Sequence, residues 1–221
     1  ALKPFLPGPA MFVTTYNPAT GCEVWHSPFV PWPPPAPGFP WLPIMPAPGF
    51  GSQNNFIAAT MALSGGNLYV GTVNGGSGAE VWELSGASGA WSQVNRNGFA
   101  PNHSVTASNM VSFKGRLYAG TFNQTTGCKV MRFDGNGWTQ VNTDGFGQED
   151  NLDVSSMAVF EHGGTSYLYV GTLNGNGCQV WRTAGQGGPP FTDWTQVNAA
   201  GFGNADNDQA GSMAVFSHGG K

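Results

Sequence analysis

GFGSQNNFIAATMALSGGNLYVGTVNGGSGAEVWELSGASGAWSQVN, running from Gly49 to Asn95, decides the fold, because the chain repeats it. The next copy opens with GFAPNHSVTASNM at Gly98 and ends in WTQVN at Asn142. A third opens with GFGQEDNLDVSSM at Gly145 and ends in WTQVN at Asn198. A fourth opens with GFGNADNDQAGSMAVFSHGGK at Gly201 and runs to Lys221. Self-similarity at a period of about 50 residues marks a repeat architecture. Each complete copy holds four short apolar phrases. The first surrounds Met61, Met110, Met157 and, in the last copy, Met213. The second is LYVGT or LYAGT, followed by Asn74, Asn123 or Asn174. The third carries Trp82, Met131 or Trp181, and the fourth opens on Trp91, Trp138 or Trp194. β-Branched and aromatic residues alternate in these phrases, with Gly and Asn clusters at their ends, which reads as strands.

Four antiparallel strands per unit is the blade of a β-propeller. The N-terminal phrase MFVTTYNPATGCEVWHS, Met11 to Ser27, matches the second and third strands, with Thr15 and Asn17 in the Thr-x-Asn positions. The last copy stops after a first-strand phrase. The expectation is therefore an all-β, four-bladed β-propeller with four-stranded antiparallel blades, its ring closed by N- and C-terminal strands sharing one blade. Closure of this kind removes both sheet edges, which otherwise invite aggregation. The whole of 1–221 reads as a single propeller domain, with blades at about 49–97, 98–144 and 145–200 and a composite of 201–221 plus 1–48. A fragment cut at equivalent points of a larger ring carries the same phase. The stretch from Pro28 to Pro48 holds most of the prolines; its strand is expected to be outermost or absent, since Pro cannot donate to a ladder.

Composition narrows the function. The chain is 40% hydrophobic and 13% aromatic, enough for a core, yet only 9% charged, against roughly 25% in ordinary soluble domains. A net charge of -4 with 8 Lys and Arg residues argues against nucleic acid, whose phosphates need clustered cations. No apolar run is long enough to span a bilayer as a helix. Cys22, Cys128 and Cys178 occupy the same phrase in different copies (GCEVW, GCKVM, GCQVW), so they read as separate buried thiols rather than a disulfide or a shared metal site.

The phrases LYVGTxN, GCxVWR, WTQVN and SMAVF together resemble repeats of uncharacterised secreted bacterial β-propeller proteins. That resemblance covers nearly the whole chain and implies a fold and an extracellular location, with no single activity. The blade count is similar to hemopexin-like architecture, without that family's motifs. The WD dipeptide of WD40 repeats is missing. FDGNGW, with Asp134, only weakly resembles the Asp-box turn of sialidase-like propellers.

Ligand sites are sought in the loops that enter each first strand and in those joining strands two and three, which share one face. Aligned on the Met, the entering loops give one column of Asn54, His103, Asp150 and Asp206, and a second of Asn55, Ser104, Asn151 and Asn207. Oxygen donors such as Asp150, Asn151, Asp206 and Asn207 suit calcium or magnesium. They equally suit turn building and polar packing of a narrow channel. The other loops begin at Asn17, Asn74, Asn123 and Asn174, whose amides can meet sugar hydroxyls or close turns. No nucleophile phrase, paired acid and base, or HExxH occurs. The expectation is an extracellular, non-enzymatic, lectin-like module for glycan or another small molecule, with Ca²⁺ as the expected ion on the axis. A polysaccharide-active enzyme using Asp150, Asp206 and His103, and a protein-binding scaffold contacted through the Pro-rich tract with Trp32 and Trp41, are the competing readings.

Overall fold

The computed structural model describes residues 10–27, 41–100 and 103–216. The chain is all-β, and its sheets are antiparallel. Strands β1 (Met11–Thr14), β2 (Val24–Ser27) and β3 (Leu42–Pro43) form one small sheet. Three four-stranded units follow. Unit A comprises β4 (Ile57–Ser64), β5 (Asn67–Val73), β6 (Val81–Leu84) and β7 (Trp91–Gln93). Unit B comprises β8 (Thr106–Phe113), β9 (Arg116–Phe122), β10 (Val130–Phe133) and β11 (Trp138–Gln140). Unit C comprises β12 (Asp153–His162), β13 (Thr165–Leu173), β14 (Val180–Thr183) and β15 (Thr195–Gln196). Within each, strands pair in chain order, so every unit is a meander.

The repeat also dictates finer features. The first hairpin of unit A turns on Gly65 and Gly66, both at positive φ (57° and 83°). A two-residue hairpin loop that matches strand twist requires that pair of conformations, which glycine adopts without steric cost. Each first strand bulges at the same place, at Ala59, Ser108 and Ser155, where the register to the second strand shifts.

Units are joined by one recurring backbone contact. The residue before each loop Asn pairs with the start of the next first strand: Tyr16 with Ile57, Val73 with Thr106, Phe122 with Asp153, and Leu173 with Gln209. The cores lie between units rather than inside them. One gathers Cys22, Val24, Leu68, Val70 and Leu84; the next, Tyr69, Val81, Phe99 and Leu117; the third, Phe113, Val130, Val154 and Leu168. The fourth-phrase tryptophans lace units together, their indole N–H groups donating to backbone carbonyls of the preceding unit. Trp91 reaches Ile44 at 2.6 Å, Trp138 reaches Val94 at 3.0 Å and Trp194 reaches Val141 at 2.8 Å. Meanders placed side by side through their first strands make a propeller-like arrangement.

The expected closure of the ring within the chain is not formed. Among the described residues β1 pairs only with β2, and 210–216 form no strand. The described residues hold three whole four-stranded units, with β1–β3 before them and residues 201–216 after them. The three contiguous cores keep consecutive units together. Trp32 and most of the Pro-rich tract lie outside the described residues; Leu42–Pro43 gives that sheet a short outer strand. The three cysteines are free and buried, and burial pushes the Cys22 thiol up to about 11 and raises Cys128 as well.

Candidate functional site

Three residues of the second column, Asn55, Ser104 and Asn151, are buried inside the fold, while Asn207 is exposed. Asn55 is fully buried, and its amide N–H groups donate to the Gly49 carbonyl at 2.9 Å and to the Glu80 carboxylate at 2.7 Å. Its carbonyl accepts from the Thr72 hydroxyl at 3.1 Å and from the Asn74 amide at 2.9 Å. Unit C repeats this knot with Asn151, Gly145, Gln179, Thr172 and Asn174. The indoles of Trp82 and Trp181 donate to Glu80 and Gln179, linking the knot to the strands beyond. A buried amide with every group partnered satisfies the loop that sets the entry into each first strand.

The loop asparagines are turn residues as well. The side-chain carbonyl of Asn74 accepts backbone N–H donations from Gly76 and Ser77; that of Asn123, from Thr125 and Thr126. Asn174 accepts from Asn176, and Asn17 from Ala19 and Thr20. These are Asx turns, which hold the loop in place of backbone pairing. Asn74, Asn123 and Asn174 are buried.

Asn54, His103, Asp150 and Asp206 remain, one in each entering loop, all exposed. None hydrogen-bonds another among the described residues. Asp150 accepts from the Asn176 amide at 3.0 Å. His103 sits at φ 36° in the one entering loop where Ser104 replaces the Asn. For a cation, Asn151 is a poor donor here because its carbonyl already accepts two hydrogen bonds, and no cluster of three or more His, Cys, Asp or Glu forms among the described residues.

The nearby carboxylate that the fold perturbs is Asp153. Burial raises its pKa, against the hydrogen bonds donated by Ser108 and Ser155 that lower it. A carboxyl raised on folding holds its proton more tightly folded than unfolded. Its contribution to stability is present below the unfolded value and lost as pH rises through the folded one. Asp153→Asn is therefore expected to lessen the fall in melting temperature above about pH 4. An unchanged slope in a melting series across pH would contradict burial as the cause.

The sequence reading passed over one open cleft. Between Thr15 and Asn17 of the N-terminal phrase stands Tyr16, where the other units have Val73, Phe122 and Leu173. Its ring is 64% exposed and meets Phe56 edge-on, with centroids 6.1 Å apart. Together with Pro18, Gln53, Asn54, Gly75 and Gly76 they line an open cleft of about 290 Å³. A flat ring, two side-chain amides and a glycine floor offer one stacking face and several hydrogen-bonding groups. Tyr16 and Phe122 are both aromatic at this Thr-x-Asn position, and Tyr16 is the exposed one, a difference that the fold sets.

No family model matches the chain, and no curated protein matches it. Its structure is similar to that of Bacteroides ovatus Xyloglucan PUL GH43B, at 15% identity and a TM-score of 0.46, over 87% of this chain and 39% of that one. It is also similar to a chain from a structural and mechanistic analysis of two prolyl endopeptidases, at 14% identity and a TM-score of 0.48, over 86% of this chain and 27% of that one. The chain thus spans less than half the length of either. Among the described residues no helix is long and apolar enough to cross a membrane.

Proposed function

We propose that this chain is an extracellular carbohydrate-binding module, lectin-like rather than catalytic, whose units are the blades of a propeller and amount to four per chain. The observation that carries the reading is the Tyr16 cleft. Pyranose rings present a C–H face to an aromatic ring and hydroxyls to amides, and an exposed Tyr beside Gln53 and Asn54 supplies both. Such sites bind through a few placed polar groups on a mostly preformed surface. Asn17, Asn74, Asn123 and Asn174 hold the loops around it and its counterparts. In this reading they are positioning residues. The expected calcium ion would take its donors from the exposed Asp150 and Asp206, because the Asn151 amide is committed to the core.

A glycan array followed by calorimetry, with and without Ca²⁺, tests the proposal. Binding to a defined glycan class is expected, and Tyr16→Ala is expected to weaken it by at least about tenfold through loss of the stacking ring. Array silence in both conditions would sink it. So would binding indifferent to Tyr16→Ala.

A further inference from the structure

We propose that the groove between units A and B is a second binding site, for a flat aromatic ring that carries a carboxylate. Units A and C supply the template. In each, the Phe of the entering turn lies against two tryptophans of its own unit. Phe50 stacks on Trp82 with centroids 4.6 Å apart and meets Trp91 edge-on; Phe146 stacks on Trp181 at 4.9 Å and meets Trp194 edge-on. Unit B keeps the turn, with Phe99 at φ 53°, and it keeps the second tryptophan, Trp138, which Phe99 meets edge-on at 5.2 Å. In place of the first it has Met131. Among the described residues Phe99 therefore has no stacked ring. A groove of about 660 Å³ opens beside Met131, lined from unit B by Phe99, Phe133 and Trp138 as well, and from the end of unit A by Gln93 to Arg96.

The joint between units B and C shows what closes such a space. There Trp181 fills the indole position. The longer loop before Trp194 also lays buried Phe191 against Tyr118 of unit B, and the Phe191 backbone N–H donates to the Val141 carbonyl at 2.8 Å. Val94 is the counterpart of Val141, and its carbonyl accepts from the Trp138 indole at 3.0 Å. The loop before Trp138, Asp134 to Gly137, is shorter and carries no ring. Phe133 covers Tyr69 edge-on at 5.9 Å, as Phe191 covers Tyr118, but it comes from strand β10 and leaves the groove beside Met131 open.

The charge of the ligand follows from Arg96. The equivalent positions after units B and C carry Thr143 and Ala199. Arg96 is exposed, lines the groove and forms no ion pair among the described residues. No Asp or Glu lines the groove, and Asp134 beside it is held by Arg116 at 2.8 Å and Arg132 at 2.9 Å. A planar guanidinium presents paired N–H donors that match a carboxylate. The ring of the ligand is left to the aromatic wall, where offset-stacked and edge-on contacts are both favourable. No residue of this groove lines the Tyr16 cleft, so the site stands apart from the glycan reading.

Indole-3-acetate is the probe, because it carries the missing ring and a carboxylate; neutral indole is its control. Calorimetry on the whole chain should show indole-3-acetate binding at least about threefold more tightly than indole. Arg96→Gln should remove that preference. Met131→Trp, which supplies the indole from the chain itself, should abolish binding of both probes. On titration of the labelled protein the side-chain amides of Gln93 and Asn136 should shift, and those of Gln53 and Asn54 should stay still. Because Arg96 is exposed, its variant reads the site even where Met131→Trp folds poorly. No binding of either probe at millimolar concentration would overturn the proposal. So would equal affinity for the two probes, a preference unchanged by Arg96→Gln, or binding that survives Met131→Trp.

Discussion

Gly127→Ala should cost about 3 kcal/mol and lower the melting temperature by roughly 6–12 °C. Two independent causes add. Gly127 sits at φ 84°, where a Cβ is strained by about 1 kcal/mol or more. That Cβ would also lie 2.7 Å from the Gly145 Cα and 2.9 Å from its nitrogen, with the Asn151 carbonyl at 3.2 Å. All three are backbone atoms, so no side chain can swing aside to make room. The contact belongs to the joint between units, since the adjoining Cys128 exchanges backbone hydrogen bonds with Asn151 and Gly145. Gly137→Ala is the control: nothing lies within 4 Å of its Cβ, and the change should stay within about 0.5 kcal/mol. Thermal melts of both variants by circular dichroism check this, and equal melting temperatures would contradict the role assigned to the joint.

Phe146→Ala should be at least as damaging, at roughly 3–5 kcal/mol. The ring is 8% exposed, stacked on Trp181 within 9° of parallel and edge-on to Trp194. It is also held at φ 58°, a conformation unusual for a bulky residue, so the stack both fills the core and offsets backbone strain. Removing the ring leaves the strain and opens a cavity beneath two tryptophans. Chemical denaturation should show the loss as a lower midpoint with an unchanged slope. The same change at Phe202, whose ring is 67% exposed, should leave the stability of the isolated chain nearly unaltered.

Most of the architecture was legible because it is written three times over. Strand order follows from repeated phrases, and a period of about 50 residues leaves little choice of unit, whereas the bulges are seen in the strand register. Closure was not legible. Sequence phase shows that Met11–Ser27 and Gly201–Lys221 are complementary parts of one unit, but phase is the same whether the parts meet within a molecule or between molecules. The polar columns were harder still. Asn54 and Asn55 are neighbours in sequence, yet one faces solvent and the other is fully buried, because the turn after Gly49 aims successive side chains in opposite directions. Repetition alone could not say which column serves the fold. Unit B departs from the knot: Ser104 replaces the buried Asn with its hydroxyl unpartnered, and buried Lys129 replaces Glu80 and Gln179 and lies 3.9 Å from Asp144. Tyr16 was not legible because the residue between the repeated Thr and Asn varies from copy to copy, and its exposure is set by the fold.

Chemical-shift mapping of the labelled protein during titration with an array-positive glycan tests the central claim most directly. The account expects the side-chain amides of Gln53 and Asn54 and the backbone amides of Gly75 and Gly76 to move together and saturate with one affinity, and to stop moving in Tyr16→Ala. Perturbations centred on Asp150 and Asp206, with the Tyr16 cleft silent, would contradict it.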